Sequence, residues 1–293
     1  MNRRTFIQSA ASLVMASQID VLAAKYHQKM GYSAITWSGN DLVAIKDIAA
    51  LGYKGIQLRA NTYPIFKDKP EDLKQTIASA KLELAMFSSG NVGITNDTTK
   101  DIETHLNHAK FIKALGGHSL QITNNSRPKD RLPTKEELKK YAKNMSAVAK
   151  VVIEETGIQP TYHNHMSQLG ETPEEVEIIV NEMDTKYLKL LLDVAHYHQG
   201  GGVPADAVLK YKSIIYATHI KDTRPDTENK SGYRFVELGQ GKVDFPAIFK
   251  NLNKIEFKGW NIVELDAVPV KGRTALECGQ ISKTYLEKIK VKF

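Results

Sequence analysis

Leu188-Lys189-Leu190-Leu191-Leu192-Asp193 is an apolar run that breaks off at an acidic residue, with Val194-Ala195-His196 directly behind it. Strands that alternate apolar and polar residues keep one face in water. A near-continuous apolar run belongs instead to a parallel strand covered on both faces. A parallel strand needs a crossover before its neighbour, so amphipathic segments should flank the run. Residues 173–181 upstream and 205–211 downstream read as those helices.

The pattern repeats along the chain. Strand-like stretches cover residues 32–37, 55–59, 84–87, 119–123, 160–163, 188–193, 214–219 and 260–265. Helical periodicity covers 42–51, 71–81, 102–115, 135–155, 173–181, 205–211, 245–253 and 274–290. Local punctuation agrees. Gly52 suits a helix C-cap, Pro70 a helix start and Gly116-Gly117 a stop, while Thr134 with Glu137 forms a capping-box pair. Unbroken alternation predicts a single-domain α/β fold over residues 25–293, a closed (β/α)8 TIM barrel, for which this length is normal. An open doubly wound sheet would carry Gly-x-Gly-x-x-Gly after its first strand, and none is there. Gly200-Gly201-Gly202 reads as a flexible loop.

Composition suits a folded chain: 42% of residues are hydrophobic and 25% charged. No apolar run approaches the roughly 20 residues that span a bilayer. The net charge of +7 comes from lysines spread over predicted helices rather than interleaved with exposed aromatics, which argues against a nucleic-acid partner. Cys278 is the only cysteine, so no intramolecular disulfide forms. Residues 1–24 read differently. Arg3-Arg4 precede Phe6-Ile7, a mildly apolar stretch follows, and Val21-Leu22-Ala23-Ala24 offers small residues for cleavage. This is the layout of a twin-arginine-type export signal, which implies a periplasmic or otherwise exported protein.

Chemistry gathers at the ends of the last four strands. Tyr162-His163-Asn164-His165 ends the fifth and Asp193 the sixth, while His219-Ile220-Lys221-Asp222 ends the seventh and Glu264-Leu265-Asp266 the eighth. In a barrel these ends lie side by side at the C-terminal rim, where active sites are built. His163, Asp193, His219 and Glu264 therefore predict a centre for one divalent metal ion. Four protein ligands leave room for substrate oxygens only around a five- or six-coordinate ion. That favours Mn²⁺ over closed tetrahedral Zn²⁺, with Fe²⁺, Co²⁺ and Mg²⁺ as alternatives.

Leu192-Asp193-Val194-Ala195-His196, Thr218-His219-Ile220-Lys221-Asp222, Leu238-Gly239-Gln240-Gly241-Lys242-Val243-Asp244-Phe245 and Ile262-Val263-Glu264 resemble the xylose-isomerase-like barrel superfamily. That superfamily holds sugar isomerases and epimerases, inosose dehydratases and endonuclease IV. The resemblance runs from about residue 30 to the end. It implies a metal bound by Asp193, His219 and Glu264, a substrate hydroxyl held by His196, and a small carbohydrate as substrate. Two positions depart from the epimerase pattern. His163 stands where most epimerases carry a glutamate that binds metal and moves a proton, and Gln57 where a glutamate is usual. The Tyr-His-Asn-His run resembles the inosose-dehydratase-like branch instead. The Asp-x-His of endonuclease IV is absent from Lys230-Ser231-Gly232-Tyr233-Arg234.

These features point to a metal-dependent sugar isomerase or epimerase that removes the proton α to a carbonyl and stabilises the enediolate. The candidate bases are His165, Lys221 and Glu264, a lysine beside a cation being expected to have a depressed pKa. Expulsion of a β-substituent would make the chain a dehydratase or lyase of 3-keto sugars or glycosides. An exported location suits such unphosphorylated substrates. Loss of the first glutamate also leaves a non-catalytic sugar-binding barrel open. Trp37, Arg59, Asn124 and Arg234 are expected around the substrate, Trp37 as a stacking face. The long 223–242 connection is expected to act as a lid. A homo-oligomer is compatible with all of this.

Overall fold

The computed structural model describes residues 28–292. Its main strands are β1 (Lys29–Ser33), β2 (Gly55–Arg59), β3 (Glu83–Asn91), β4 (Ser119–Thr123), β5 (Gln159–His163), β6 (Lys189–Asp193), β7 (Ile215–Ile220) and β10 (Trp260–Val263). They pair in parallel and close in the order β1-β10-β7-β6-β5-β4-β3-β2. Helices lie between them, so the alternation in the sequence does fold as a (β/α)8 barrel. Two further strands, β8 (Asp222–Pro225) and β9 (Tyr233–Val236), pair antiparallel outside the barrel. Among the described residues no helix is long and apolar enough to cross a membrane. The export signal expected at residues 1–24 lies outside the described residues.

Side chains on a strand alternate between faces, and here the alternation sorts them into two environments. Outward residues such as Leu120, Ile122, Tyr162, Leu190 and Leu192 pack with the helices in one large core. Fully burying a leucine there contributes about 2 kcal/mol. Inward residues form a small apolar plug of Ala85, Met86, Leu191, Ala217 and Ile262, with Tyr216 and Trp260 against it. Gly55 makes room for that plug, since a Cβ there would lie 2.7 Å from the Trp260 ring. Two residues further along β6, β7 and β10 the inward positions turn polar, at Asp193, His219 and Glu264.

Local signals set several boundaries. The helix Lys135–Thr156 starts at the capping box of Thr134 and Glu137 and stops at Gly157 in the left-handed conformation (φ 77°). The helix Pro70–Ser79 begins on its proline. Other elements depart from expectation. The first strand ends at Ser33, and Ala34–Trp37 coils into a 3-10 turn, tied down where Thr36 Oγ1 donates to the Leu265 carbonyl at 2.7 Å. β6 runs straight into a short helix, Val194–Gln199, because Asp193 Oδ1 accepts the Ala195 and His196 N–H groups at 2.9 Å each. The connection expected to be a lid loop instead contains the β8–β9 hairpin.

Candidate metal centre

Four strand ends bring His163, Asp193, His219 and Glu264 together. All four are buried, and their ligand atoms lie within 4.8 Å of one another. His163 Nε2 is 3.3 Å from Asp193 Oδ2 and 3.2 Å from His219 Nδ1. His219 Nδ1 is 3.5 Å from Asp193 Oδ2 and 3.4 Å from Glu264 Oε1. Ligand bonds of about 2.1 Å separate adjacent donors by roughly 3 Å and opposite ones by roughly 4.2 Å in an octahedral site. The cluster therefore has the size and the mixed nitrogen and oxygen donors that a divalent ion needs.

Asp193 has a divided role. Oδ1 caps the following helix and Oδ2 faces the cluster, while Asn164 grips its backbone through Asn164 Oδ1 (2.9 Å from the Asp193 nitrogen) and Nδ2 (3.1 Å from its carbonyl). Burial pushes its pKa up, but the surrounding His196, His163 and His219 imidazoles and the Lys221 ammonium outweigh that and hold it well below the carboxylate range. Burial likewise opposes ionisation of Glu264, yet His219, Lys221 and His163 bring it down to about 2. Burial pushes His163 down to about 4 despite Asp193, so its imidazole is neutral at physiological pH.

Beside the cluster sits a second group of polar residues. The His165 and His196 rings stack with centroids 3.8 Å apart. His196 Nδ1 accepts the Met166 N–H at 3.1 Å, and its Nε2 is 3.2 Å from Lys221 Nζ. Lys221 is fully buried, 2.6 Å from Asp266 Oδ1 and 3.3 Å from Glu264 Oε1. Phe235, on β9, covers both groups: its ring is 4.1 Å from Lys221 Nζ and 4.9 Å from the His196 ring. The depressed pKa expected of a lysine base is reversed here. Burial works against the charge, but Asp266, Glu264 and Asp193 overcome it and raise Lys221 above the lysine range.

Arg59 lines a cavity of about 150 Å³ next to the cluster, together with Gln57, Gln121, His165 and Asp266. Arg59, Ser88 and Thr123 also border an outer cavity of about 440 Å³ whose rim includes Asn61 and Asn91. A cavity of about 800 Å³ around Trp260, Tyr216 and His118 contains none of the clustered donors, so it is not the chemical site.

Three expected substrate residues are placed elsewhere. Trp37 is not a stacking face: its ring packs edge-on against Tyr32 with centroids 5.5 Å apart, and Nε1 donates to Asp47 at 2.7 Å. Asn124 spends its amide on backbone, donating to the Val92 carbonyl after β3 at 3.0 Å and accepting the Ser126 N–H of its own loop at 2.7 Å. Arg234 pairs with Asp226 on the hairpin.

Sequence reasoning also missed residues. Gln57 and Gln121 join the two imidazoles of the cluster: His219 Nε2 lies 2.8 Å from Gln57 Oε1, Gln57 Nε2 lies 2.8 Å from Gln121 Oε1, and Gln121 Nε2 lies 2.9 Å from His163 Nδ1. A signal was present, since each is the polar centre of a five-residue strand, Gly-Ile-Gln-Leu-Arg and Ser-Leu-Gln-Ile-Thr. Asp222 was missed as an organiser. Its carboxylate accepts N–H groups of Thr223, Gly239, Gly241 and Val243 at 2.8–3.2 Å. A Cβ at Gly241 would lie 2.1 Å from that carboxylate, which explains the glycine.

Comparison with known proteins gives a consistent family. The profile described as xylose isomerase-like TIM barrel matches residues 45–280. An inosose dehydratase of Bacillus cereus is 26% identical over 82% of this chain and 90% of its own. An inosose dehydratase of Lacticaseibacillus casei is 26% identical over 88% and 96%. Among solved structures, an IOLI protein with a bound zinc atom superposes with TM-score 0.73 at 21% identity, over 91% of this chain and 99% of that one. A D-psicose 3-epimerase of Clostridium cellulolyticum, solved with D-tagatose, superposes with TM-score 0.71 at 16% identity, over 91% and 100%.

Proposed function

The chain belongs to the xylose isomerase-like TIM barrel family, and on that footing we propose that it is a divalent-metal-dependent lyase of a keto sugar. It removes the proton α to a carbonyl and expels a substituent from the β carbon. One observation carries this reading: the proton-transfer groups collect together. His165, His196 and Lys221 contact one another, while Gln57 and Gln121, whose amides exchange no proton at ordinary pH, link the metal-facing rings. An epimerase of the two-carboxylate kind needs a proton carrier on each face of its substrate. A lyase needs only one side. The relatives named inosose dehydratases support the same reading, since dehydration is a β-elimination of water.

Asp193, His219 and Glu264 offer donors for the ion, and His163 lies within reach as a fourth. A divalent ion supplies Lewis acidity toward a carbonyl oxygen, and the mixed donor set favours Mn²⁺. His165 suits the base. Its Nδ1 donates to the Met166 carbonyl at 2.6 Å, which leaves Nε2 with a free lone pair, and burial with Lys221 nearby keeps the ring unprotonated. The C–H electron pair moves onto the carbonyl to give an enediolate. It then returns to form a C=C bond as the bond to the β-oxygen breaks. Lys221, held as an ammonium, donates the proton that the leaving oxygen takes up. The products are an enone and water or an alcohol. The outer cavity bordered by Arg59 gives a second sugar-sized group somewhere to sit, which favours a glycoside as substrate. Export directed by residues 1–24 belongs to the same proposal.

The same groups favour a second reading, in which the proton returns to the neighbouring carbon and the protein is an isomerase. Incubation of the Mn²⁺-loaded protein with 3-keto glucosides in D₂O separates the readings. An enone absorbance with release of the aglycone is expected, and chelation should abolish it. Deuterium uptake without elimination would establish the isomerase. Neither signal with any keto sugar would leave a sugar-binding barrel.

A further inference from the structure

The chain of side chains His219–Gln57–Gln121–His163 has a direction. Its three contacts are 2.8, 2.8 and 2.9 Å long, and all four residues are at most 5% exposed, so each contact must pair one donor with one acceptor. A primary amide presents oxygen at one end and NH₂ at the other, so it passes that direction on. If His219 donates at Nε2, then Gln57 donates to Gln121, and Gln121 donates to His163 Nδ1. Exchanging O and N in both amides reverses every link together. Exchanging them in one alone sets NH₂ against NH₂, or oxygen against oxygen. In either allowed direction the two rings receive opposite instructions.

A neutral imidazole carries one N–H. The two rings therefore cannot both turn a lone pair toward the centre while this chain is intact. In the direction described above, His219 presents a lone pair at Nδ1 to the space shared with Asp193 Oδ2, 3.5 Å away, and Glu264 Oε1, 3.4 Å away. Three converging lone pairs of this kind call for a cation. His163 presents N–H at Nε2, which faces the His219 Nδ1 lone pair at 3.2 Å and Asp193 Oδ2 at 3.3 Å. The reverse direction would set a His163 lone pair against that same carboxylate oxygen.

We propose that Gln57 and Gln121 act as positioning residues that hold His219 and His163 both in the Nε2-protonated tautomer, so that His219 turns a lone pair to the centre and His163 an N–H. The ion is then held by Asp193, His219 and Glu264, and His163 remains a hydrogen-bond donor aimed into the site. This deepens the metal reading above and rests on it. One consequence is specific to the mechanism. A carboxylate at position 121 accepts at both ends, from Gln57 Nε2 and from His163 Nδ1, so both rings can turn lone pairs inward. Gln121→Glu should convert His163 into a fourth ligand.

The test titrates Zn²⁺ or Mn²⁺ alone into chelator-stripped full-length protein by calorimetry. His163→Ala should change Kd by no more than about threefold, whereas His219→Ala should weaken binding at least about a hundredfold. Gln121→Glu should tighten binding about tenfold or more, and that gain should vanish in the Gln121→Glu/His163→Ala double variant. A gain that persists without His163 would mean that the added charge acts by simple attraction, and the proposal falls. It falls equally if His163→Ala alone weakens binding as much as His219→Ala. Imidazole ¹⁵N shifts of the metal-free wild-type protein decide the tautomers directly: both rings should be protonated at Nε2 and neither at Nδ1, which puts an N–H toward the amides in His219 and a lone pair toward them in His163. Identical protonation toward the amides overturns the idea. A protein that binds neither ion sinks the metal reading, while the shifts still judge the relay.

Discussion

Lys221→Met removes one ammonium and keeps the length of the side chain. In the wild type, Nζ lies 3.3 Å from Glu264 Oε1 and 2.6 Å from Asp266 Oδ1, with none of the residue exposed. At an effective dielectric of about 20, a unit charge pair at that first distance is worth roughly 5 kcal/mol before desolvation is counted. The variant saves the desolvation of the lysine. It leaves the Glu264 carboxylate, only 6% exposed, without its neighbouring ammonium and close to Asp193. Removing one partner of a buried pair typically costs about 3–5 kcal/mol. Unfolding entropy of roughly 2.1 cal/mol/K per residue gives about 0.6 kcal/mol/K for a chain of this length, so Tm should fall by about 5–8 °C. The loss should depend on metal. Saturating Mn²⁺ places positive charge beside Glu264 again, and the shift should shrink to less than about half. Scanning calorimetry of wild type and variant, in chelator and in Mn²⁺, measures all four values. A metal-free variant within about 1 kcal/mol of wild type would show that the ammonium does not hold the carboxylates together. A shift of equal size with and without Mn²⁺ would show that Lys221 acts by packing alone.

Other expectations follow from single features. Asp222→Ala strips the acceptors from four backbone N–H groups, so it should destabilise by at least about 3 kcal/mol and speed hydrogen exchange at Gly239, Gly241 and Val243; unchanged exchange there refutes its organising role. Burial and the neighbouring His105 push His108 down to about 4. The unfolded chain takes that proton first, at about pH 6.5, so stability is full above that value and falls by roughly 3 kcal/mol as pH drops toward 4. Urea unfolding of His108→Gln should lack that part of the decline, and identical pH profiles would refute the assignment. Replacing Arg3 and Arg4 by lysine should block export and leave residues 1–24 attached, as read by mass spectrometry of the cell fractions; normal processing would rule out a twin-arginine route.

The barrel and most of its cluster of candidate ligands were legible in the amino-acid sequence. Both rest on periodicities that are local. The apolar run 188–193 can only be a strand covered on both faces, and the residue that ends it, Asp193, must then reach the C-terminal rim. The same logic applied to His163, His219 and Glu264, and the structure brings all four ligand atoms within 4.8 Å. The capping box at Thr134 and Glu137 was legible because its partners are three residues apart. What the sequence left undecided depends on distant partners. Trp37 ends in the packed interior because Tyr32 and Asp47 claim its ring and its N–H. Lys221 is raised rather than depressed because Asp266 and Glu264 arrive from another strand end. Gln57 meets Gln121 across 64 residues and His219 across 162, and only closure of the barrel makes those contacts. Periodicity fixes which face a side chain occupies. The direction of a hydrogen bond, and with it which imidazole can offer a lone pair to a cation, exists only once both partners are in place.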